Sequence, residues 1–219
     1  MLPDETALTD LKTYLSRADR IDRASVRLIA GGGVLAVYTA VLHPGGLLDE
    51  TPTVLGLRTV RIRVDQRLDA VVPIASFVAR LDAAVPDPED GTVLIGIPAE
   101  VATVTWAGVA PPRAGWQEVT STAAAALNDV ARAGIVEVAE TLPVDAGESI
   151  VRRIRAEVWG RAIPELDHVP AGAAFAAHSL GFLGEGDERI PVYETGPWTR
   201  LSTARGHVLV KRRGWSLQG

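Results

Sequence analysis

The chain contains no cysteine, which excludes disulfides, thiolate nucleophiles, cysteine-ligated zinc and iron–sulfur clusters. Lysine is almost missing: Lys12 and Lys211 stand alone, and every other basic residue is arginine. Aromatic residues make up only 5% of the 219, although five of them are tryptophans. The first residues, Met-Leu-Pro-Asp-Glu-Thr, have neither the basic nor the apolar segment of a secretory signal, so the expected location is the cytoplasm. The longest weakly polar run, Ala171–Leu183, is interrupted by His178 and Ser179 and falls short of the about 18 residues of a membrane span.

Catalytic signatures are missing too. There is no G-x-S-x-G elbow, no H-E-x-x-H, no P-loop and no dinucleotide-binding glycine fingerprint. His43, His168, His178 and His207 stand far apart with no ligand spacing, so neither a metal nor a cofactor is expected. The formal net charge of −5 argues against nucleic acid as the main partner, because phosphate binding needs clustered cations. The three-residue basic cluster Lys211-Arg212-Arg213 reads as a solvated edge strand.

What is present is pattern. Leu8, Leu11 and Leu15 predict a helix over 5–19 that starts at Asp4. Residues 25–42 read as a hairpin around Gly31-Gly32-Gly33, and 54–64 as a third strand with Thr59, Arg61 and Arg63 on its wetter face. A short strand at 67–72 leads into a helix begun by Pro73, with Ile74, Phe77, Val78 and Leu81 as its stripe. Further strands are expected at 92–97 and 102–109.

Beyond Trp116, Thr120 or Ser121 is expected to cap a helix carrying Leu127, Val130/Ala131, Ile135, Val138 and Leu142. Asp145 with Glu148 suggests a capping box for the next helix, with Ile150, Ile154 and Val158 on one stripe. Pro170 starts a third, crowded helix that carries His178. A strand near 189–194 and a hairpin of 197–203 and 207–213 close the chain. The reading is a single α+β domain over 1–219. It has antiparallel-rich sheet(s), a strand-rich part (1–110), about three helices clustered in 117–184 and a C-terminal β-hairpin (189–213).

The junction Trp106–Trp116, W-A-G-V-A-P-P-R-A-G-W, concentrates two tryptophans, two prolines and Arg113. The combination of P-P-R-A-G-W (111–116), A-A-H-S-L-G-F-L-G (176–184) and W-T-R-L followed by G-H-V-L-V resembles a group of uncharacterised actinobacterial proteins. That resemblance implies a family-specific domain and supplies no activity. Two functions are carried forward. The first is a non-catalytic binding or scaffold protein, partnered by itself or another protein, with no membrane role; Trp and Arg are interface residues. The alternative is a hydrolase or transferase acting on a small anionic substrate. There Arg113 would clamp the anion, His178 would serve as acid–base, and Trp106 and Trp116 would form the walls.

Overall fold

Asp4 begins the first helix as its spacing requires: its Oδ1 accepts the Ala7 N–H at 2.8 Å, satisfying one of the free donors of the first turn. The computed structural model describes residues 1–21, 25–46, 49–65, 67–100, 104–108, 110–184 and 186–211. The chain divides into two units, Met1–Ala40 with Leu57–Val109 and Val41–Gly56 with Ala110–Gly219. Each is α+β.

In the first unit, helix α1 (Glu5–Ile21) is followed by β1 (Ser25–Gly31) and β2 (Val34–Leu42). Gly32 and Gly33, at φ 61° and 74°, form the two-residue turn between them, a conformation that side chains with a Cβ rarely adopt. β3 (Thr53–Arg61), β4 (Leu68–Pro73) and α2 (Ile74–Asp82) complete the unit, and the strands lie in the order β4-β1-β2-β3. Val26, Leu28 and Ala30 alternate into the core, and α1 contributes Leu8, Leu11, Tyr14, Leu15 and Ala18. Of the α2 stripe, Ile74, Phe77 and Leu81 are buried.

Two expected strands do not form among the described residues. At 92–97 only Val93 makes ladder contacts, with Leu2 and Pro86, and Leu94 is exposed: an apolar run without a neighbouring strand does not extend. Within 102–109, Thr105–Gly108 forms a 3₁₀ turn rather than a strand, while 102, 103 and 109 lie outside the described residues.

Tyr14 carries the first unit's buried polar chemistry. Its hydroxyl donates to the Val37 carbonyl at 3.3 Å and sits 2.9 Å from the Thr39 hydroxyl, which ties α1 to β2. Burial pushes the phenol well above its ordinary range, against the opposing effects of the Thr39 hydrogen bond and the Arg58 charge. The unfolded chain therefore releases this proton first, so the stability Tyr14 confers is intact below about pH 10 and declines as pH rises further. Tyr14→Phe is expected to cost about 1 kcal/mol at neutral pH and to flatten the alkaline decline, measured by urea unfolding at both pH values.

In the second unit, β5 (Gln117–Ala123) runs straight into α3 (Ala124–Thr141). The expected helix start at Thr120 or Ser121 is thus corrected, since both lie in a strand. α4 (Glu148–Gly160) follows, with Gly147 at its N-cap and no capping side chain, so Asp145 does not form the expected box. A small hairpin of β6 (Ala162–Ile163) and β7 (Leu166–Pro170) leads directly into α5 (Ala171–Ser179). β8 (Arg189–Thr195), β9 (Trp198–Thr203) and β10 (Gly206–Lys211) form a meander, and the order here is β10-β9-β8-β5.

Six of the nine α5 residues are buried alanine or glycine, which lets the helices approach closely. On α3 the buried residues are Ala124, Leu127, Ala131 and Gly134, whereas Ile135 is exposed. Trp159 of α4 is 2% exposed and stacks on Phe175 of α5, centroids 4.4 Å apart. β10 is less solvated than expected: Val208, Leu209 and Val210 are each 1% exposed, and His207 and Lys211, on the Leu209 face, are half-buried. Arg212 and Arg213 lie outside the described residues.

Candidate functional site

The cross-strand register of the meander sorts its side chains into two faces. Val192, Leu201 and Val208 form one row across β8, β9 and β10, and all three are buried. α5 packs on β10, and Phe182, just beyond it, fills the space over Gly206, so this face belongs to the helices. The next row, Tyr193, Arg200 and Leu209, points to the opposite face. Pairing with β5 adds Glu118 beside Tyr193.

Trp116 enters this second face from the loop before β5. Its indole N–H donates to the Pro112 carbonyl at 3.0 Å, closing the loop that carries Pro111, Pro112 and Arg113. Gly115, at φ 83°, supplies the positive-φ bend in front of it. The indole then stacks on Arg200, whose Cζ lies 4.6 Å from the Trp116 ring centroid and 4.7 Å from that of Tyr193. Each desolvated cation–π contact of this kind contributes on the order of 0.5–2 kcal/mol.

Arg200 differs from the paired arginines. Its Nε is buried with no hydrogen-bond partner, and burial lowers its pKa, opposed only by Tyr193. Arg27, by contrast, is forked to Asp69 by two 2.8 Å bonds, which raise its pKa.

The residues expected from the sequence are distributed as follows. Trp106 is buried in the first unit, on the 3₁₀ turn whose Ala107 carbonyl accepts from Arg27 Nη1 at 2.6 Å; its role there is packing. Trp116 belongs to the second unit and forms one wall of the Arg200 stack. Arg113 sits on an exposed bend and has no ion pair among the described residues. His178 is half-buried near the end of α5, with Nδ1 2.7 Å from Asn128 Oδ1, and burial, aided by the Arg132 charge, holds its pKa below the ordinary histidine value. No described contact joins it to Arg113.

The other histidines are also engaged: His168 Nε2 lies 3.0 Å from Glu194, and His207 Nδ1 lies 3.0 Å from Ser202 Oγ in a cross-strand pair. Among the described residues no group of three or more His, Asp or Glu is placed to hold a metal. Nor is any helix long and apolar enough to cross a membrane. Arg200 and Tyr193 were not singled out from the sequence. Their signal is the short Gly196-Pro197 turn between V-Y-E-T and W-T-R-L, which sets Tyr193 opposite Arg200.

Solved structures supply the wider class. The fold is similar to that of a protein from Eubacterium rectale assigned as a DNA polymerase III beta subunit, at 9% identity over 96% of this chain and 64% of that one, TM-score 0.52. It is also similar to a DnaN sliding clamp, the DNA polymerase III subunit beta, from Bartonella birtlesii, at 10% identity, 96% and 64% coverage and TM-score 0.51. The chain spans 64% of the length of each of these proteins. At such identities the likeness is one of fold.

More particularly, residues 1–108 match the model of a domain of unknown function, DUF8010, and residues 111–215 match that of a second, DUF8185. No curated protein matches the chain. The expectation that nucleic acid is an improbable partner is corrected: the structures of similar fold are described as a DNA polymerase III beta subunit and a DnaN sliding clamp. The physical reason is that a net charge of −5 sums over the whole surface and does not say where cations stand; α4 alone exposes Arg152 and Arg153.

Proposed function

We propose that the chain is a non-catalytic, clamp-like binding or scaffold protein acting at nucleic acid, and that it assembles with a second copy or a partner chain. The observation that supports this is the match of 96% of the chain to a fold described for DNA polymerase III beta subunits. The chain spans 64% of that protein, so a second chain would supply what one copy lacks to make a comparable body.

The test combines light scattering with fluorescence anisotropy on duplex DNA across a salt series. The expected result is a mass above that of the monomer, or binding whose logarithm falls linearly with the logarithm of salt as counterions are released. A strict monomer that leaves the anisotropy unchanged at low salt would overturn the proposal.

A further inference from the structure

We propose that the outward edge of Arg200, held between Trp116 and Tyr193, is a binding site for a carboxylate. The proposal stands on the geometry of the second unit and does not depend on the clamp-like reading. Rings at 4.6 and 4.7 Å cover the guanidinium, so ligands approach it through its N–H edge. That edge is a planar fork matched to a two-oxygen acceptor. Stacking also fixes the side chain before any ligand arrives, removing much of the ordering cost of binding.

No acceptor inside the described structure meets this demand. Glu118, opposite Tyr193 in register, pairs with Arg189. Glu194, the next residue along β8, pairs with His168 at 3.0 Å. Arg200 makes no hydrogen bond or ion pair among the described residues, and its Nε is already withdrawn from water. A half-buried cation without a counter-ion is costly, and an external anion relieves that cost. The lowered basicity of Arg200 agrees with a missing counter-charge.

Charge decides the class of anion. One guanidinium neutralises one negative charge, which suits a carboxylate; a phosphate dianion calls for a second cation or a nest of backbone N–H groups. The carboxylate can come from a free small acid or from the C-terminus or acidic side chain of a peptide.

Isotope-labelled protein, observed at the Arg200 Nε–H and Trp116 indole N–H signals, is titrated with N-acetylglycine and with N-acetylglycinamide. The acid is expected to shift both signals to saturation and the amide to leave them in place. A short peptide with a free C-terminus, compared with its amidated form, separates the sources: tighter binding of the acid peptide than of acetate assigns a peptide carboxylate, and equal affinity assigns the free acid. Arg200→Lys keeps the charge but loses the fork and is expected to weaken binding about tenfold. Trp116→Leu, which removes one wall, provides a second variant if the first disturbs the fold. Equal shifts by acid and amide, undiminished binding by both variants, or tighter binding of inorganic phosphate than of the acid would overturn the proposal.

Discussion

Trp159→Ala is expected to lower the stability of the second unit by about 3–5 kcal/mol. The indole is 2% exposed and joins three helices at once. It stacks on Phe175 of α5 with ring planes 22° apart, and it occupies the notch above Gly134 of α3. Its own backbone carbonyl also lies 3.1 Å from where a Cβ on Gly172 would stand. Alanine and glycine dominate the neighbouring helix surfaces, so there are few long side chains to relax into the vacated space. Urea unfolding followed by tryptophan-independent circular dichroism measures the loss. A change below about 1 kcal/mol would mean that the three helices do not depend on this ring for their packing.

Gly134→Ala is expected to destabilise as well, although alanine is the better helix former by about 1 kcal/mol. A Cβ at Gly134 would stand 2.6 Å from Trp159 Cη2 and closer still to Cζ3, inside any real contact distance. Any movement of the ring away from that Cβ disturbs its stacking on Phe175. Overpacking of this kind costs about 1–3 kcal/mol, occasionally more, and outweighs the propensity gain. The decisive measurement is the double variant. With Trp159 already removed, the clash is gone and the propensity term acts alone, so Gly134→Ala should become stabilising by up to about 1 kcal/mol. If its effect has the same sign in both backgrounds, contact with Trp159 is not what requires glycine at 134.

The sequence was most legible where large apolar residues carry a clean period. Leu8, Leu11 and Leu15 located α1, Pro73 and Pro170 located the starts of α2 and α5, and the glycine run located the β1–β2 turn. It was least legible where small residues do the packing. On α3 Leu127 and Ala131 are buried as expected, but Ile135 is exposed and Val138 and Leu142 are only half-buried; Ala124 and Gly134 complete the buried stripe, where the partner helix sits too close for larger side chains. β5 escaped notice because it has no alternation: its first four residues, Gln117 to Thr120, are all exposed, and a bulge falls between Glu118 and Thr120.

The candidate site was half visible. Trp116 was found from its local setting, whereas Arg200 and Tyr193 become neighbours through cross-strand register, which no local pattern states. Arg113, chosen for its place in the junction, shares the loop with Trp116 but stands exposed.

Three helices in this chain begin at the residue after a strand ends: α2 after Pro73, α3 after Ala123 and α5 after Pro170. None of these joints contains a loop, and none is closed by a capping side chain. One extra residue there turns a strand over, since its side chains alternate, and rotates the following helix by about 100°. Length changes in related sequences therefore belong in stretches such as 83–92 and 142–147, and the strand–helix joints behave as fixed rulers along which an alignment can be read.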